Sequence, residues 1–125
     1  MRFFLEFDDG LGDVQLALQP GVSRSGLSQM CGYDILSWLK PDIAAHISGG
    51  PIPMSDSDLD KVIDTTSFAI EICSSGNYGS TKRAVDRMRD KGQLSRLTLG
   101  TDTPGGTGVI PRGMFRNICY IASVC

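Results

Sequence analysis

Histidine is scarce in this chain of 125 residues, which contains only His46. A mechanism that needs several imidazoles from this chain is therefore excluded. The four cysteines form no Cys-x-x-Cys pair, so the sequence does not support a zinc knuckle. Cys73 and Cys119 lie within apolar stretches, which predicts that both are buried free thiols.

Other absences limit the kinds of partner that we expect and bear on the protein's location in the cell. The formal net charge is −2 and there is no basic block, so we expect no nucleic-acid partner. No apolar run approaches the roughly 18 residues of a membrane span, so we expect no membrane partner. Residues 1–9 lack the long apolar core of a signal peptide, which favours a cytoplasmic protein. The composition, with 41% apolar and 21% charged residues, is typical of one globular domain.

From Pro41 onward, short apolar runs alternate with amphipathic stretches. The predicted strands are Ile43–Ile47, Phe68–Cys73 and Leu97–Gly100. The predicted helices follow the capping residues Ser55–Asp58, cover Ser80–Lys91 before a stop at Gly92, and cover Arg112–Val124. Such alternation implies parallel strands joined by helices, and continuous apolar strands imply that both sheet faces are covered. The predicted fold class is therefore α/β, with three parallel strand–helix units.

The first 39 residues are less regular than the rest. Met1–Phe7 is typical of a short strand, Val14–Leu18 is a short apolar run, and Tyr33–Leu39 is typical of one or two helical turns before Pro41. We therefore divide the chain into an irregular N-terminal segment, residues 1–39, and a regular unit, residues 40–125.

Two residues at predicted strand ends are candidates for chemistry. His46 and Asp102 both fall at carboxyl ends of strands, where β/α barrels carry their active sites. Taken alone, a single histidine beside a strand is more often structural, and Asp102 could instead bond backbone amides within the turn Thr101–Pro104. Asn77, after Gly76, is typical of a left-handed turn residue.

Three strand-end segments together resemble the amidohydrolase superfamily, in particular its enamidase type, which hydrolyses cyclic amides and imides. Lys40–Pro51 resembles the sixth-strand segment, in which the strand ends in His and a Gly-Gly-Pro loop follows. Leu99–Pro111 resembles the eighth strand and its loop, where the Asp stands at the catalytic centre. Phe68–Asn77 lies between them as a seventh strand, and Arg116–Ser123 is also similar. The resemblance covers about residues 38–125, the closing part of the barrel.

This resemblance implies a partial TIM-type β/α barrel and metal-dependent hydrolysis of C–N bonds in a small amide. It implies that His46 and Asp102 are metal ligands for zinc or another divalent cation. It further implies that Asp102 is catalytic and carries a proton to the leaving nitrogen. Asn77 and Thr101 are candidate contacts to the substrate.

Several of the family's ligands have no counterpart here. The His-x-His of the first strand and the Lys or Glu of the fourth strand are absent, and no His lies near Ser23, where the fifth-strand ligand is expected. We therefore expect a fragment of an amidohydrolase that is inactive alone and does not retain metal.

Two alternatives remain open. The chain could be a small non-catalytic domain that self-associates and keeps vestigial site residues. The predicted exposed surface for that association is formed by Ile43, Ala45, Ile70, Ile72 and Leu97. Alternatively, Gly21–Ser25 approaches the nucleophile elbow of a serine hydrolase, with Ser23, His46 and Asp102 as its triad, although the last position is Ser where Gly is needed.

Overall fold

The chain forms an α/β structure around one five-stranded sheet with strand order β1-β2-β3-β4-β5. The computed structural model describes residues 3–7, 14–18, 32–48, 54–74, 76–101 and 113–124. The strands are β1 (Phe3–Phe7), β2 (Val14–Leu18), β3 (Ile43–Ala44), β4 (Ala69–Cys73) and β5 (Leu97–Gly100). The helices are α1 (Gly32–Leu39), α2 (Asp56–Thr65), α3 (Tyr78–Asp90) and α4 (Met114–Val124), with a 3₁₀ turn at Leu94–Arg96.

Strands β2 to β5 run parallel to one another, and β1 pairs antiparallel with β2. The register places Ala44 beside Ile70 and Cys73 beside Gly100, so the carboxyl ends of β3, β4 and β5 lie at one edge of the sheet. The α/β prediction with three parallel strand–helix units is confirmed. The short strand expected near the N-terminus is also present, as β1.

The hydrophobic core lies between the sheet and its helices. Its largest fully buried side chains include Leu36, Leu59, Ile63, Ile70 and Met88. Packing between helices α1, α2 and α3 and the sheet therefore holds the parallel strands in place. None of the helices in the described ranges is long and apolar enough to cross a membrane.

The predicted exposed surface is wrong in three of its five members. Ile70 and Ile72 are 0% and 1% exposed because they face the helices, and Ala45 is also buried. Leu97 is partly buried against the core, and Ile43 is half-buried. Among the residues whose burial the structure describes, the most exposed large apolar side chains are instead Trp38 on α1, at 76%, and Phe115 and Ile118 on α4, at 78% and 48%.

Several predicted boundaries move because local backbone contacts intervene. The strand expected over Ile43–Ile47 stops at Ala44, and residues 45–48 form a turn. Helix α3 begins at Tyr78 rather than Ser80 because Asn77 caps it. Asn77 has φ −78°, so its interpretation as a left-handed residue is wrong, whereas Gly92 does end α3 with φ +66°.

The third predicted helix begins at Met114, and Arg112 lies outside the described residues. On this helix Cys119 is exposed, so the expected buried thiol is wrong at that position, whereas Cys73 is buried as expected. Neither Cys73 nor Cys119 forms a disulfide within the described residues. The difference follows from the outward orientation of the apolar residues of α4, whose one buried residue is Asn117.

A ladder of ion pairs joins α2 to α3. Arg83 binds Asp60 through two hydrogen bonds of 2.9 and 2.7 Å, and Arg87 makes the same paired contact with Asp64. Lys91 adds a contact of 3.1 Å to Asp64. These charges lie one helical turn apart on each helix, so the ladder fixes the relative positions of the two helices along their axes.

Candidate active site

The candidate site is built from the turn after β3, which presents His46. This residue has a backbone φ of +55°, a conformation that residues other than glycine rarely adopt. Its backbone N–H donates a 3.0 Å hydrogen bond to Oε2 of Glu71 on β4. The ring Nδ1 lies 3.0 Å from the same oxygen but off a straight hydrogen-bond direction, so this second contact is mainly electrostatic. One carboxylate oxygen therefore holds both the backbone and the ring of His46.

Glu71 projects from the opposite face of β4 to Ile70 and Ile72, because successive side chains of a strand alternate. Its side chain is 17% exposed and that of His46 is 14% exposed, so both groups are largely shielded from water. A Cβ atom at Gly100 would lie 1.8 Å from Oε1 of Glu71. The glycine at the end of β5 therefore leaves the space that the Glu71 carboxylate occupies.

The electrostatics of the pair favour its charged form. Contacts of the ring with the side chains of Cys73 and Glu71 raise the pKa of His46 to about 10, against the opposing effect of burial. Burial favours a higher pKa for Glu71, but its contacts with His46 together outweigh that effect and lower the Glu71 pKa. At neutral pH the pair is therefore an imidazolium and a carboxylate.

The turns after β3 and β4 are packed directly on one another. The backbone N–H of Asn77 donates a 3.0 Å hydrogen bond to the carbonyl oxygen of Ser48. Ser48 is fully buried, and a Cβ at Gly76 would lie 2.0 Å from its Oγ. The side-chain oxygen of Asn77 accepts hydrogen bonds from the backbone of Gly79 and Ser80, which caps α3. These contacts give Asn77 a structural role, and its candidate role as a substrate contact stays a prediction.

The end of β5 is fixed by α4. Asn117, which is 6% exposed, donates from Nδ2 to the carbonyl oxygen of Gly100 at 2.9 Å. Thr101 follows directly and is half-buried at the same sheet edge as His46. Asp102 lies outside the described residues, as does the segment Gly21–Ser25, which contains Ser23, the nucleophile of the serine-hydrolase alternative. The catalytic and metal-binding roles predicted for Asp102 therefore stay predictions.

Glu71 and Asn117 are missing from the sequence-based set of site residues. Glu71 carried a usable signal, because an acidic residue inside the apolar run Phe68–Cys73 is unfavourable unless a partner compensates its charge. Asn117 carried a similar but weaker signal as a polar residue among the apolar positions of α4.

The described residues do not by themselves fit a divalent metal. Within the described ranges, no group of three or more His, Cys, Asp or Glu side chains could hold a metal ion. Zinc sites use three or four protein ligands as a rule. In addition, the raised pKa of His46 keeps its ring protonated at neutral pH, and a metal would have to displace that proton.

Comparison with known proteins identifies the family of this strand-end arrangement. Over 104 residues the chain is 42% identical to enamidase from Eubacterium barkeri, a match that covers 83% of this chain. The chain is homologous to part of enamidase. The crystal structure of enamidase, described as a new member of the amidohydrolase superfamily, matches with a TM-score of 0.77 and 40% identity over 86% of this chain. No protein-family model matches the chain.

These matches confirm the resemblance to an enamidase-type amidohydrolase and the partial β/α-barrel fold. The chain spans 27% of the length of the enamidase sequence and 28% of the enamidase structure. The sheet edge that carries His46 therefore corresponds to one part of a larger barrel.

Proposed function

We propose that this chain is the segment of an amidohydrolase that contributes His46 and Asp102 to an active site for hydrolysing C–N bonds of small cyclic amides, and that it is inactive alone. The observation that carries the proposal is the placement of His46 at a strand end, where Glu71 holds it, in a chain homologous to enamidase. Active sites of β/α barrels form at these strand ends from several β/α units.

The chemistry assigned to this chain concerns hydrogen bonding and proton transfer. Amide hydrolysis places negative charge on the carbonyl oxygen and requires a proton on the leaving nitrogen. A protonated His46 ring would stabilise the negative charge on the carbonyl oxygen. Asp102 would carry the proton to the leaving nitrogen. The divalent metal of the family would need ligands beyond the described residues.

Two measurements test inactivity of the isolated chain. After purification and dialysis, elemental analysis is expected to find far less than one zinc per chain, because His46 and Asp102 are two ligands and zinc sites use three or four as a rule. Assays with cyclic amides and imides are expected to stay at background. Hydrolysis that disappears in both His46→Ala and Asp102→Ala would show instead that the chain is an enzyme by itself.

A chimera tests the active-site contribution directly. This chain would replace its matched segment in Eubacterium barkeri enamidase, where the remaining barrel supplies the missing ligands. We expect amide hydrolysis that is lost in His46→Ala and Asp102→Asn and kept in the control Asp90→Asn, whose carboxylate is exposed on α3. A folded chimera whose activity survives His46→Ala and Asp102→Asn would refute the proposal.

A second candidate is a non-catalytic domain that self-associates. It is favoured by the apolar side chains that α4 exposes, Phe115 and Ile118, and by the sheet edge at β5, which pairs only with β4 among the described strands. Light scattering of the wild-type chain should then report a dimer or larger species, and Phe115→Ser should reduce its mass. A monomer at every protein concentration would exclude this candidate.

The cytoplasmic setting expected from the sequence stays a prediction.

A further inference from the structure

We propose that Glu71 is the positioning residue of the site and that it acts as a clamp, holding the backbone and the ring of His46 at the sheet edge through a single carboxylate. The catalytic purpose of the clamp rests on the proposed function. Its existence rests only on the contacts among His46, Glu71 and Gly100.

The backbone of His46 needs an external partner in this conformation. A non-glycine residue in the left-handed region is strained by its Cβ atom, and such residues persist when the surrounding structure holds them in place. Oε2 of Glu71 accepts the His46 N–H at 3.0 Å, and the carbonyl oxygen of Glu71 accepts the N–H of Ile47 at 3.0 Å. Two successive amides of the turn therefore bind one residue of β4.

The ring of His46 is held by the same oxygen. Nδ1 lies 3.0 Å from Oε2 of Glu71, and both side chains are largely shielded from water. A carboxylate that contacts one nitrogen of an imidazole orients the ring, and such partners affect the activity of the sites they support. Loss of Glu71 should therefore release both the turn and the ring.

The position of the clamp itself depends on Gly100. Any side chain at position 100 would place its Cβ 1.8 Å from Oε1 of Glu71, so the carboxylate would have to move. Gly100→Ala therefore displaces the carboxylate while leaving its charge in the protein. Gly113→Ala is the matched control, because a Cβ there meets no atom within 4 Å.

Nuclear magnetic resonance tests the clamp in the full chain, since the single histidine gives one imidazole signal set. The readouts are the hydrogen-exchange rate of the His46 amide and the ring nitrogen shifts at pH 7. We expect Glu71→Leu and Gly100→Ala to speed exchange at least about tenfold, because a hydrogen bond to a charged group is lost. Gly113→Ala should exchange as the wild type does.

The conservative variant Glu71→Gln separates the two halves of the clamp. Its carbonyl oxygen still accepts the His46 N–H, so amide protection should be retained, whereas the ring shifts should change because the carboxylate charge is gone. If Glu71→Leu does not fold, Gly100→Ala and Glu71→Gln still decide the result. Unchanged exchange and unchanged ring shifts in folded Gly100→Ala would overturn the proposal.

Activity in the enamidase chimera then distinguishes failure of the clamp from failure of the proposed function. If the clamp and the proposed function are both correct, Glu71→Leu should lower kcat more than it raises KM, because positioning acts on the reacting groups. Hydrogen exchange in this chain could confirm the clamp while the chimera loses no activity on His46→Ala. That result would support the clamp and remove only its catalytic purpose.

Discussion

Arg96 donates from Nε to the carbonyl oxygen of Phe68 at 3.0 Å and so joins the start of β5 to the start of β4. The same guanidinium donates to the carbonyl oxygen of Ile63, near the end of α2, and to the Oγ1 of Thr66. Partial burial lowers the pKa of Arg96, and the hydrogen bonds offset the loss of water. This one side chain therefore replaces solvent for several backbone and side-chain acceptors that the fold leaves at the amino-terminal edge of the sheet.

Replacing Arg96 by Lys should destabilise the fold despite the retained charge. The lysine side chain has one terminal nitrogen where the guanidinium has three. It cannot reach all of these separate acceptors, so some of them would lose their donors. We expect the free energy of unfolding to fall by about 1–3 kcal/mol, measured by urea denaturation. Arg89→Lys on the exposed face of α3 is the control and should change little. Equal effects of the two substitutions would mean that Arg96 is not a structural anchor.

The ion-pair ladder should make stability sensitive to salt. Arg83 and Asp60 lie near the surface, where dissolved ions screen their attraction. The thermal midpoint of the wild-type chain is expected to fall as sodium chloride is raised, and Arg83→Gln should flatten that dependence. Lys61→Gln is the control, because the Lys61 ammonium lies 4.0 Å from Asp58 in a looser contact. A salt dependence that Arg83→Gln leaves unchanged would contradict a role for the ladder.

The His46–Glu71 pair predicts a loss of stability in alkali. The folded-state pKa of His46 is raised from its ordinary value of 6.5 to about 10. The protonated ring therefore stabilises the fold fully below pH 6.5, and this contribution declines as the pH rises toward 10 and is lost above it. His46→Asn removes the titrating group and keeps a residue that tolerates positive φ. The difference in unfolding free energy between wild type and variant should shrink between pH 6.5 and 10; a constant difference would argue against a raised pKa.

Asn77 should matter to stability as a helix cap. Its side-chain oxygen accepts hydrogen bonds from Gly79 at 2.8 Å and Ser80 at 3.2 Å. Asn77→Ala is expected to lower the free energy of unfolding by about 1 kcal/mol, whereas Asn77→Asp retains an acceptor and should cost little. Urea denaturation of the three proteins measures both effects. If Asp proves as destabilising as Ala, capping does not explain this position.

The sequence predicted the parallel order of β3, β4 and β5 because apolar runs and helix caps repeat regularly in this region. It failed on the direction of the side chains. Ile70 and Ile72 were expected to be exposed, although Glu71 between them marks the other face as the polar one. The position of His46 followed from the family resemblance, but its positive φ did not, because that conformation depends on contacts with β4. The partnership of Glu71 with Gly100 joins two different strands, and no local pattern in the chain encodes it.

Trp38 is the chain's one tryptophan, and its side chain is 76% exposed on α1. Its indole already meets water in the native state, so its fluorescence should change little when the chain unfolds. Tyr78 and Tyr120 are better optical reporters, because their rings are in contact, tilted at 43° with centroids 4.4 Å apart, and join α3 to α4. Near-ultraviolet circular dichroism of the tyrosines would therefore follow the loss of tertiary packing, and the tryptophan signal would follow only the local surroundings of α1.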